Sequence, residues 1–350
     1  MHGWKQKMLR SLAVVVTALA AAQQGEAQTT SPAAQSTTSA EGAATTTTTV
    51  ANTTRQYFIA AEDGTWDFGP SGNDLVHGGP IPPPYLTVWP VTRFIEYTDA
   101  SFTKRKPQPV WLGILGPIIR AQVGDTIKIT FFNRSRQPAG LHPHGVRYDK
   151  NNEGANYVVS GAGSVIQPNT SFTYTWFADA DSGPAPGEPS SKVWWYHTHF
   201  DEPRDVNRGM LGPLIITAKG KARQDGSPTD VNREFVVDFQ IFNMDNDNED
   251  GLMHSMNGYI FGNLTGLTMK KNEKVRWHIL GMGNETDQHT PHWHGKTVLS
   301  SGQRTDVIEI LPASMKTVDM NADNPGTWMF HCHVADHLDA GMDTLYTIAP

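Results

Sequence analysis

The feature that most constrains this chain of 350 residues is an internal repeat in which histidines recur at matching places. Each copy holds a strand-like run, then a His-x-His-Gly motif, and then a His-x-His motif preceded by aromatic residues. In sequence order, the three segments are residues 124–129, 141–145 and 194–199 in the first copy and residues 272–277, 289–295 and 328–333 in the second. Two tandem copies of one domain are the simplest explanation of this pattern.

Local patterning indicates that both copies are all-β. Runs rich in valine, isoleucine, threonine and aromatic residues, such as Thr126–Phe132 and Phe235–Phe239, are separated by Gly, Pro, Asn and Asp, and long helical periodicity is missing. The 32 glycines and 23 prolines suit a turn-rich sandwich better than a helical bundle. We therefore expect two tandem β-sandwich domains.

Four His-x-His pairs are the strongest chemical signal in the sequence. Successive side chains of a strand point to opposite faces, so the two histidines of each pair would point to the same side. Eight imidazoles could then converge on a metal cluster. These eight residues are His142, His144, His197, His199, His292, His294, His331 and His333.

Cys332 is the only cysteine in the chain, and it lies between His331 and His333. Together with the nearby His337 and Met342, it offers the thiolate, imidazole and thioether ligands that are typical of a mononuclear blue copper site. In an extended segment, Cys332 would face one side and the two flanking histidines the other. One strand could therefore serve two metal centres, with the backbone of Cys332 as a short covalent path between them.

The N-terminal part of the chain is predicted to lie outside both domains. Residues 1–27 combine a basic start, an apolar run and small residues near a cleavage point, which is the pattern of a secretory signal peptide. Residues 28–55 are rich in threonine and alanine and too poor in large apolar residues to order themselves, so we expect a disordered spacer. Export would place the protein in a secreted or periplasmic location. The two domains would then be residues 56–220 and 233–350, joined by a linker over residues 221–232.

Charge and hydropathy exclude two classes of partner. The net charge of -7 argues against nucleic acid, because phosphate binding requires a basic patch. After the signal peptide, no segment approaches the roughly 20 apolar residues of a membrane-spanning helix. We therefore expect neither nucleic acid nor a membrane as a partner.

The histidine motifs resemble the four copper motifs of multicopper oxidases in their two-domain form. The resemblance covers about residues 56–350, and its motifs are His142-Pro143-His144-Gly145, His197-Thr198-His199, His289-x-x-His292-x-His294-Gly295 and His331-Cys332-His333-x-x-x-His337-x-x-x-x-Met342. Flanking residues 112–117 and 149–154 look more like the ceruloplasmin and hephaestin branch than like fungal laccases. The resemblance implies two tandem cupredoxin-like Greek-key β-sandwich domains.

Four coppers per subunit follow from this resemblance. It implies a type 1 copper bound by His289, Cys332 and His337, with Met342 as axial ligand. It implies a type 2 copper bound by His142 and His292. It implies two type 3 coppers, one bound by His144, His197 and His333 and the other by His199, His294 and His331. The remaining histidines, His2, His77, His254 and His278, are expected to be ordinary surface, core or leader residues.

The first copy departs from the second at the positions of a type 1 site. Ala139 and Thr198 stand where histidine and cysteine would be needed. The first domain is therefore expected to supply cluster ligands only, which argues against a second blue copper and against a nitrite reductase.

The implied reaction couples one-electron oxidations to the four-electron reduction of O2 to water. Electrons would enter at the type 1 site through the edge of His337 and pass along Cys332 to His331 and His333. Water formation also needs protons, so an acid is expected near the cluster. Asp201, two residues after His199, is the candidate by position alone.

Three interpretations of the substrate remain open at the level of sequence. The first is a laccase-type oxidase of phenols and aromatic amines, which needs only an accessible His337 edge. The second is a metal oxidase that acts on ferrous or cuprous ions, because carboxylates suit a transient iron site. The candidate carboxylates are Glu285, Asp287, Asp336 and Asp339. The third, a copper-storage or electron-carrier protein, leaves eight further histidines without a purpose.

The cluster also predicts an assembly. Histidine pairs from both kinds of domain must face one another, so the cluster is expected at a domain interface. In two-domain relatives the facing pair comes from a neighbouring subunit, and we therefore expect a homotrimer with three trinuclear clusters at its subunit interfaces.

Overall fold

The computed structural model describes residues 52–245, 248–283 and 288–350. The predicted signal peptide and nearly all of the predicted spacer lie outside the described residues, as do Glu285 and Asp287. The first strand begins at Thr54, shortly before the predicted start of the first domain at residue 56.

Two sheets form the first half of the fold. Its strands are Thr54–Asp67 (β1), Val88–Tyr97 (β2), Ile119–Gln122 (β3), Thr126–Asn133 (β4), His142–Pro143 (β5), Ser171–Phe177 (β6), Ser191–His197 (β7) and Leu211–Thr217 (β8). One sheet has the order β2-β1-β4-β6 and the other β3-β8-β7-β5. In β4, Ile127, Ile129 and Phe131 are buried while the residues between them are more exposed, as expected for a strand with one face on the core.

The second half repeats this arrangement. Its strands are Arg233–Asn243 (β9), Leu252–Met256 (β10), Thr268–Lys270 (β11), Lys274–Gly281 (β12), Pro291–Trp293 (β13), Val298–Ser300 (β14), Gln303–Thr305 (β15), Ser314–Asn321 (β16), Gly326–Cys332 (β17) and Asp343–Ala349 (β18). Its sheets have the orders β10-β9-β12-β16-β14-β15 and β11-β18-β17-β13.

The strand pairings confirm that the two halves are copies of one sandwich. β1 pairs with β4 in parallel, and β4 pairs with β6 antiparallel, just as β9 pairs with β12 and β12 with β16. In the other sheet, β3-β8-β7-β5 corresponds to β11-β18-β17-β13, with one parallel pairing followed by two antiparallel ones in each. The fold is therefore all-β, with two tandem cupredoxin-like sandwiches.

Helices are short in the described part of the chain. The α-helices there are Glu202–Val206 (α1) and Ala335–Asp339 (α2), and the 3-10 turns are Val110–Leu112, Lys150–Asn152, Ala180–Ser182 and Glu249–Gly251. Each α-helix follows an aromatic-led His-x-His strand, α1 after β7 and α2 after β17. None of these helices has the length and apolar character that crossing a membrane requires.

The three largest apolar clusters hold the two halves of the fold together. One fills the first sandwich around Trp176 and Tyr196, and another fills the second around Trp277, Phe330 and Cys332. The third joins the two halves, since it packs residues of the first half, such as Trp195, together with residues of the second, such as Phe242, Met253 and Leu280. Because Trp195 lies on the same strand as His197, this third apolar cluster also helps to fix the position of His197.

Candidate metal centres

Cys332 lies at the centre of a group of converging ligand atoms. Its Sγ is 3.9 Å from Nδ1 of His289 and 3.6 Å from Nδ1 of His337, and the two imidazole nitrogens are 3.1 Å apart. All three side chains are buried. A first-row ion with bonds of about 2.0–2.3 Å to nitrogen and sulfur, the lengths known for zinc, fits at the centre of such a triangle.

Local backbone pairing positions these three residues. The amide of Cys332 donates to the carbonyl of Met342 (3.0 Å), and the amide of Met342 donates to the carbonyl of His337 (3.0 Å). His289 is held by a two-way backbone pairing with Ile310. The amide of Thr290 donates to Sγ of Cys332 at 3.4 Å, a contact that would tune a metal-bound thiolate. Met342 is fully buried in the same apolar cluster as Cys332.

Burial leaves both imidazoles of this site able to bind a metal ion. Burial, followed by the proximity of His337, lowers the pKa of His289 to about 3. Burial also lowers the pKa of His337, so both imidazoles keep a free lone pair at neutral pH. The same burial raises the pKa of the Cys332 thiol, and a bound metal ion would reverse this by stabilising the thiolate. The donor set fits copper because it joins one soft thiolate to two imidazoles.

The alternation predicted around Cys332 is confirmed. Phe330 and Cys332 point into the core of the second sandwich, whereas His331 points to the opposite face of β17. The ring of His333 lies 5.5 Å from that of His331, on the same side. β17 ends at Cys332, so His333 follows the strand directly rather than belonging to it.

The histidine pairs of the second half form one group. His292 faces His331 across the β13–β17 pairing, and Nε2 of His294 is 3.1 Å from Nε2 of His331. The ring of His333 is 5.3 Å from that of His292. Nδ1 of His331 donates to the carbonyl of Cys332 (2.7 Å), which directs Nε2 toward the other histidines. Burial lowers the pKa of His331 to about 4, so this ring is neutral.

The first half brings its own pairs together in the same way. His142 faces His197 across the β5–β7 pairing, and Nε2 of His144 is 3.0 Å from Nε2 of His197. The ring of His199 is 5.3 Å from that of His142. Nδ1 of His142 donates to the carbonyl of Glu153, and Nδ1 of His197 donates to that of Thr198, both at 2.7 Å. These bonds leave Nε2 of both rings free for a metal ion.

Burial favours the neutral forms of His144 and His197 as well. It lowers the pKa of His144 to about 4 and that of His197 to about 3, with neighbouring histidines adding to the effect. Within the described ranges, no group of three or more candidate ligands with atoms within 4.8 Å of one another contains histidines of both halves. Each half therefore has its own histidine group. We call them the first half-cluster (His142, His144, His197 and His199) and the second half-cluster (His292, His294, His331 and His333).

The first half lacks the cysteine-centred site at the equivalent place. Ala139 pairs with Ile166 as His289 pairs with Ile310, which puts an alanine methyl where an imidazole would be. Thr198 takes the position of Cys332 and is fully buried. These two residues explain in physical terms why the first sandwich has no type 1 ligand set.

The predicted proton donor, Asp201, pairs through its carboxylate with Arg204 at 3.0 Å at the start of α1. The next residue, Glu202, takes the place beside the cluster, with Oε2 at 3.2 Å from Nε2 of His199 and Oε1 at 3.8 Å from Nδ1 of His197. In the sequence, Glu202 is distinguished only by its position three residues after His199, which ends the second His-x-His motif.

The three described histidines outside the motifs differ in their surroundings. His278 is a core residue, because its ring is fully buried between Glu234 and Thr317. His254 is not an ordinary surface residue, because its ring lies 5.4 Å from that of His337. His77 lies beside Asp74 and Asp343, at a separate place in the fold.

Paired cupredoxin-like sandwiches, with one cysteine-centred triad and two matched histidine groups, define a copper protein of the blue oxidase type. Family models agree with this description. Two models of multicopper oxidases match the chain, one over residues 95–221 and the other over residues 230–350. The chain belongs to the multicopper oxidase family.

Similar proteins include three vertebrate relatives. The chain is 36% identical over 337 residues to ferroxidase HEPHL1 of Mus musculus, 33% identical over 338 residues to hephaestin of Homo sapiens, and 34% identical over 344 residues to ceruloplasmin of Homo sapiens. Each match covers 84% of this chain, but only 29%, 29% and 32% of the respective relatives. The chain therefore spans less than a third of the length of these relatives.

Solved structures agree with the fold. A crystal structure of a multicopper oxidase superposes with a TM-score of 0.61 at 20% identity, covering 85% of this chain and 89% of that one. The blue copper oxidase from Nitrosomonas europaea superposes with a TM-score of 0.59 at 22% identity, covering 85% of this chain and 86% of that one. At these identities the similarity is one of fold.

Proposed function

We propose that the protein is a metal oxidase that oxidises ferrous ions and reduces O2 to water. Four ferrous ions supply the four electrons that one O2 molecule needs, and four protons complete two waters. When bound, copper would accept single electrons at the Cys332 triad and supply the four-electron reduction of O2 at the histidine pairs. Phenols and aromatic amines are the alternative substrates.

The cysteine-centred triad is the proposed point of electron transfer from the substrate. His289, Cys332 and His337 would hold the type 1 copper, and the thioether of Met342 would be a further ligand. The thiolate of Cys332 is covalently joined through its own backbone to the neighbouring histidines, so an electron has a short path to the second half-cluster.

We assign the other histidines to a trinuclear cluster of one type 2 and two type 3 coppers. The short Nε2–Nε2 distances support two pairings, His144 with His197 and His294 with His331, since two nitrogens about 3 Å apart suit ligands of one ion. Nδ1 of His292 is also 3.2 Å from Nε2 of His331, so the assignment of His292 to a different ion rests on the family resemblance. His142 and His292 are the proposed type 2 ligands, and His199 and His333 complete the type 3 pair.

The observation that carries the proposed substrate is the surroundings of His337. Its ring lies 5.4 Å from the ring of His254, and the exposed Asp336 precedes it on α2. Burial, and then the proximity of His337, lowers the pKa of His254 to about 4, while the charge of Asp336 acts in the opposite direction. A neutral imidazole and an ionised carboxylate beside a type 1 ligand can hold a ferrous ion for outer-sphere transfer.

The comparisons support this choice over a phenol oxidase. The relative with the name ferroxidase HEPHL1 is more than one third identical to this chain, and hephaestin and ceruloplasmin are similarly related. A carboxylate and an imidazole at the His337 edge supply the donor types that bind a ferrous ion directly.

The test compares three substrates, and it compares the wild-type protein with variants at two aspartates of α2. Oxygen uptake is measured in steady state with ferrous ion, a substituted phenol and an aromatic amine. We expect the highest kcat/KM with ferrous ion, and we expect Asp336→Asn to lower it at least tenfold with little change for the phenol. Asp339→Asn is the matched control, because Asp339 is equally exposed on α2 but does not influence the pKa of His254 or His337. A higher kcat/KM for the phenol, unchanged in Asp336→Asn, would favour the laccase-type alternative.

Two further proposals concern the whole protein. We propose a homotrimer in which each trinuclear cluster combines the first half-cluster of one subunit with the second half-cluster of the next. The separation of the two histidine groups within one chain supports this arrangement. We also propose export to a secreted or periplasmic location, with residues 56–220 and 233–350 as the two domains.

A further inference from the structure

Asp74, His77 and Asp343 form a second group of converging ligand atoms, separate from the copper ligands. Nδ1 of His77 lies 3.2 Å from Oδ2 of Asp74 and 3.5 Å from Oδ2 of Asp343. One ligand atom from each residue lies within 4.8 Å of the others. The group joins the two halves, because Asp74 and His77 lie between β1 and β2 whereas Asp343 begins β18.

Backbone hydrogen bonds hold these residues in place. Oδ1 of Asp74 accepts from the amides of Val76 (2.9 Å) and His77 (2.8 Å), which fixes the turn and leaves Oδ2 to face the ring. The amide of Leu75 donates to a carbonyl of the second half, that of Phe261, at 3.0 Å. The turn is therefore fixed on the second sandwich before any ligand is considered.

Asp343 is the unusual member of the group. Its side chain is 1% exposed, and neither carboxylate oxygen has a hydrogen-bond partner. A buried carboxylate without a partner is strongly disfavoured, because it loses its hydration and gains nothing in return. Nδ1 of His77 carries at most one proton, and Oδ2 of Asp74 is the nearer acceptor. The three residues alone therefore leave Asp343 without a hydrogen bond.

We propose that Asp74, His77 and Asp343 bind a divalent first-row transition-metal ion, of which Zn²⁺ and Mn²⁺ are the redox-silent representatives. Two carboxylates and one imidazole form a borderline donor set that suits such ions. The two positive charges of the ion would balance the carboxylates of Asp343 and Asp74, and the neutral imidazole of His77 would complete the donor set. His77 is 58% exposed, so its side of the site opens to solvent and gives the ion access.

This site differs from both copper centres in its donors. It contains no sulfur and only one imidazole, so it does not select copper by softness. It also differs from the proposed iron site at Asp336 and His254, with which it shares no residue. The ion would add a further link between this turn and the second sandwich, because it would bridge Asp74 and Asp343.

The alternative is that a protonated His77 lies between the two carboxylates with no metal ion bound. Ion binding by the copper-loaded full chain distinguishes the two arrangements. The measurement is equilibrium dialysis against Zn²⁺, and separately against Mn²⁺, with metal content determined by mass spectrometry. We expect one equivalent beyond copper that is absent from both His77→Ala and Asp74→Asn, with copper content and visible absorption unchanged. Both positions have solvent access, so these variants are expected to fold.

Two control variants complete the experiment. Asp99→Asn changes another aspartate that caps an exposed turn, through its bonds to Ser101, and it should retain the extra equivalent. Asp336→Asn should also retain it, even if that variant loses ferroxidase activity, so the two proposals can fail independently. The proposal is overturned if the wild-type chain binds no ion beyond copper, or if either His77→Ala or Asp74→Asn keeps the same stoichiometry and a Kd within threefold of wild type.

Discussion

Glu202 and His199 are in direct contact, with Oε2 of the carboxylate 3.2 Å from Nε2 of the imidazole. Glu202 also lies close to His197, so it is the carboxylate at the edge of the first histidine half-cluster. The position suits a group that delivers protons during water formation, since proton transfer requires hydrogen-bond reach.

Replacing Glu202 with glutamine should slow the O2-reducing half of the reaction. We expect kcat to fall by about 10²-fold, the lower end of what a positioned acid or base contributes. Stopped-flow reduction of the blue chromophore should stay fast, which separates this effect from loss of substrate binding. Asp201→Asn is the matched control, because Asp201 pairs with Arg204 instead. A larger effect in Asp201→Asn than in Glu202→Gln would restore Asp201 as the proton donor.

Replacing Cys332 with serine should remove the cysteine-centred copper and leave the histidine pairs loaded. Serine is nearly isosteric in this buried position, but its hydroxyl is a hard donor that is not deprotonated at neutral pH. We expect loss of the intense blue absorption, loss of about one copper in four, and no oxidation of ferrous ion. Visible spectroscopy with copper analysis checks this. Retention of the blue band by the variant would remove Cys332 from the ligand set.

Strand periodicity explains why so much of the site could be predicted from sequence. Once Phe330 is taken as a core residue, the period of two fixes the opposite faces of His331 and Cys332, with no tertiary information. The same rule holds for the pairs that begin with His142 and His292. The matched order of motifs in the two halves predicts two copies of one domain, and the matching strand orders of the sheets confirm it.

Residues that meet only through tertiary packing could not be predicted in this way. His254, on β10, lies beside His337, on α2, and no spacing in the sequence reports that contact. Asp201 pairs with Arg204 at the start of α1, whereas the next residue, Glu202, lies beside His199, and the sequence does not distinguish the two positions. Asp343 gains its neighbours from a loop that is more than 250 residues away in sequence.

The ion pair between Arg120 and Glu234 predicts how stability depends on pH. Nη1 of Arg120, on β3, lies 2.7 Å from Oε2 of Glu234, on β9, so the pair links the two halves. Burial alone would raise the pKa of Glu234, but Arg120 and then His278 outweigh it and hold the pKa below the ordinary value of 4.5. A depressed carboxyl pKa stabilises the fold above that ordinary value, and the contribution is lost as the pH falls through the lowered pKa.

Replacing Glu234 with glutamine should therefore destabilise the fold by about 3 kcal/mol at pH 7, because it leaves the largely buried guanidinium of Arg120, which is 18% exposed, without its partner. The difference from wild type should shrink as the pH falls below 4.5. Denaturant unfolding of both proteins in the same buffers measures this. Glu309→Gln is the control, because Glu309 is 77% exposed and its pair with Lys316 should contribute at most about 0.5 kcal/mol. Equal losses in the two variants would contradict the role given to the Arg120–Glu234 pair.

Mixing two inactive variants tests whether the clusters form between subunits. One variant carries His142→Ala and His144→Ala, and the other carries His292→Ala and His294→Ala, so each lacks one half-cluster. In a head-to-tail ring, a random equal mixture should give about a quarter of the interfaces both intact halves. We therefore expect each variant alone to be inactive and the mixture, after dissociation and reassembly with copper, to recover oxygen uptake. If both halves of a cluster came from one chain, no mixture would recover activity, because every cluster would then contain one damaged half.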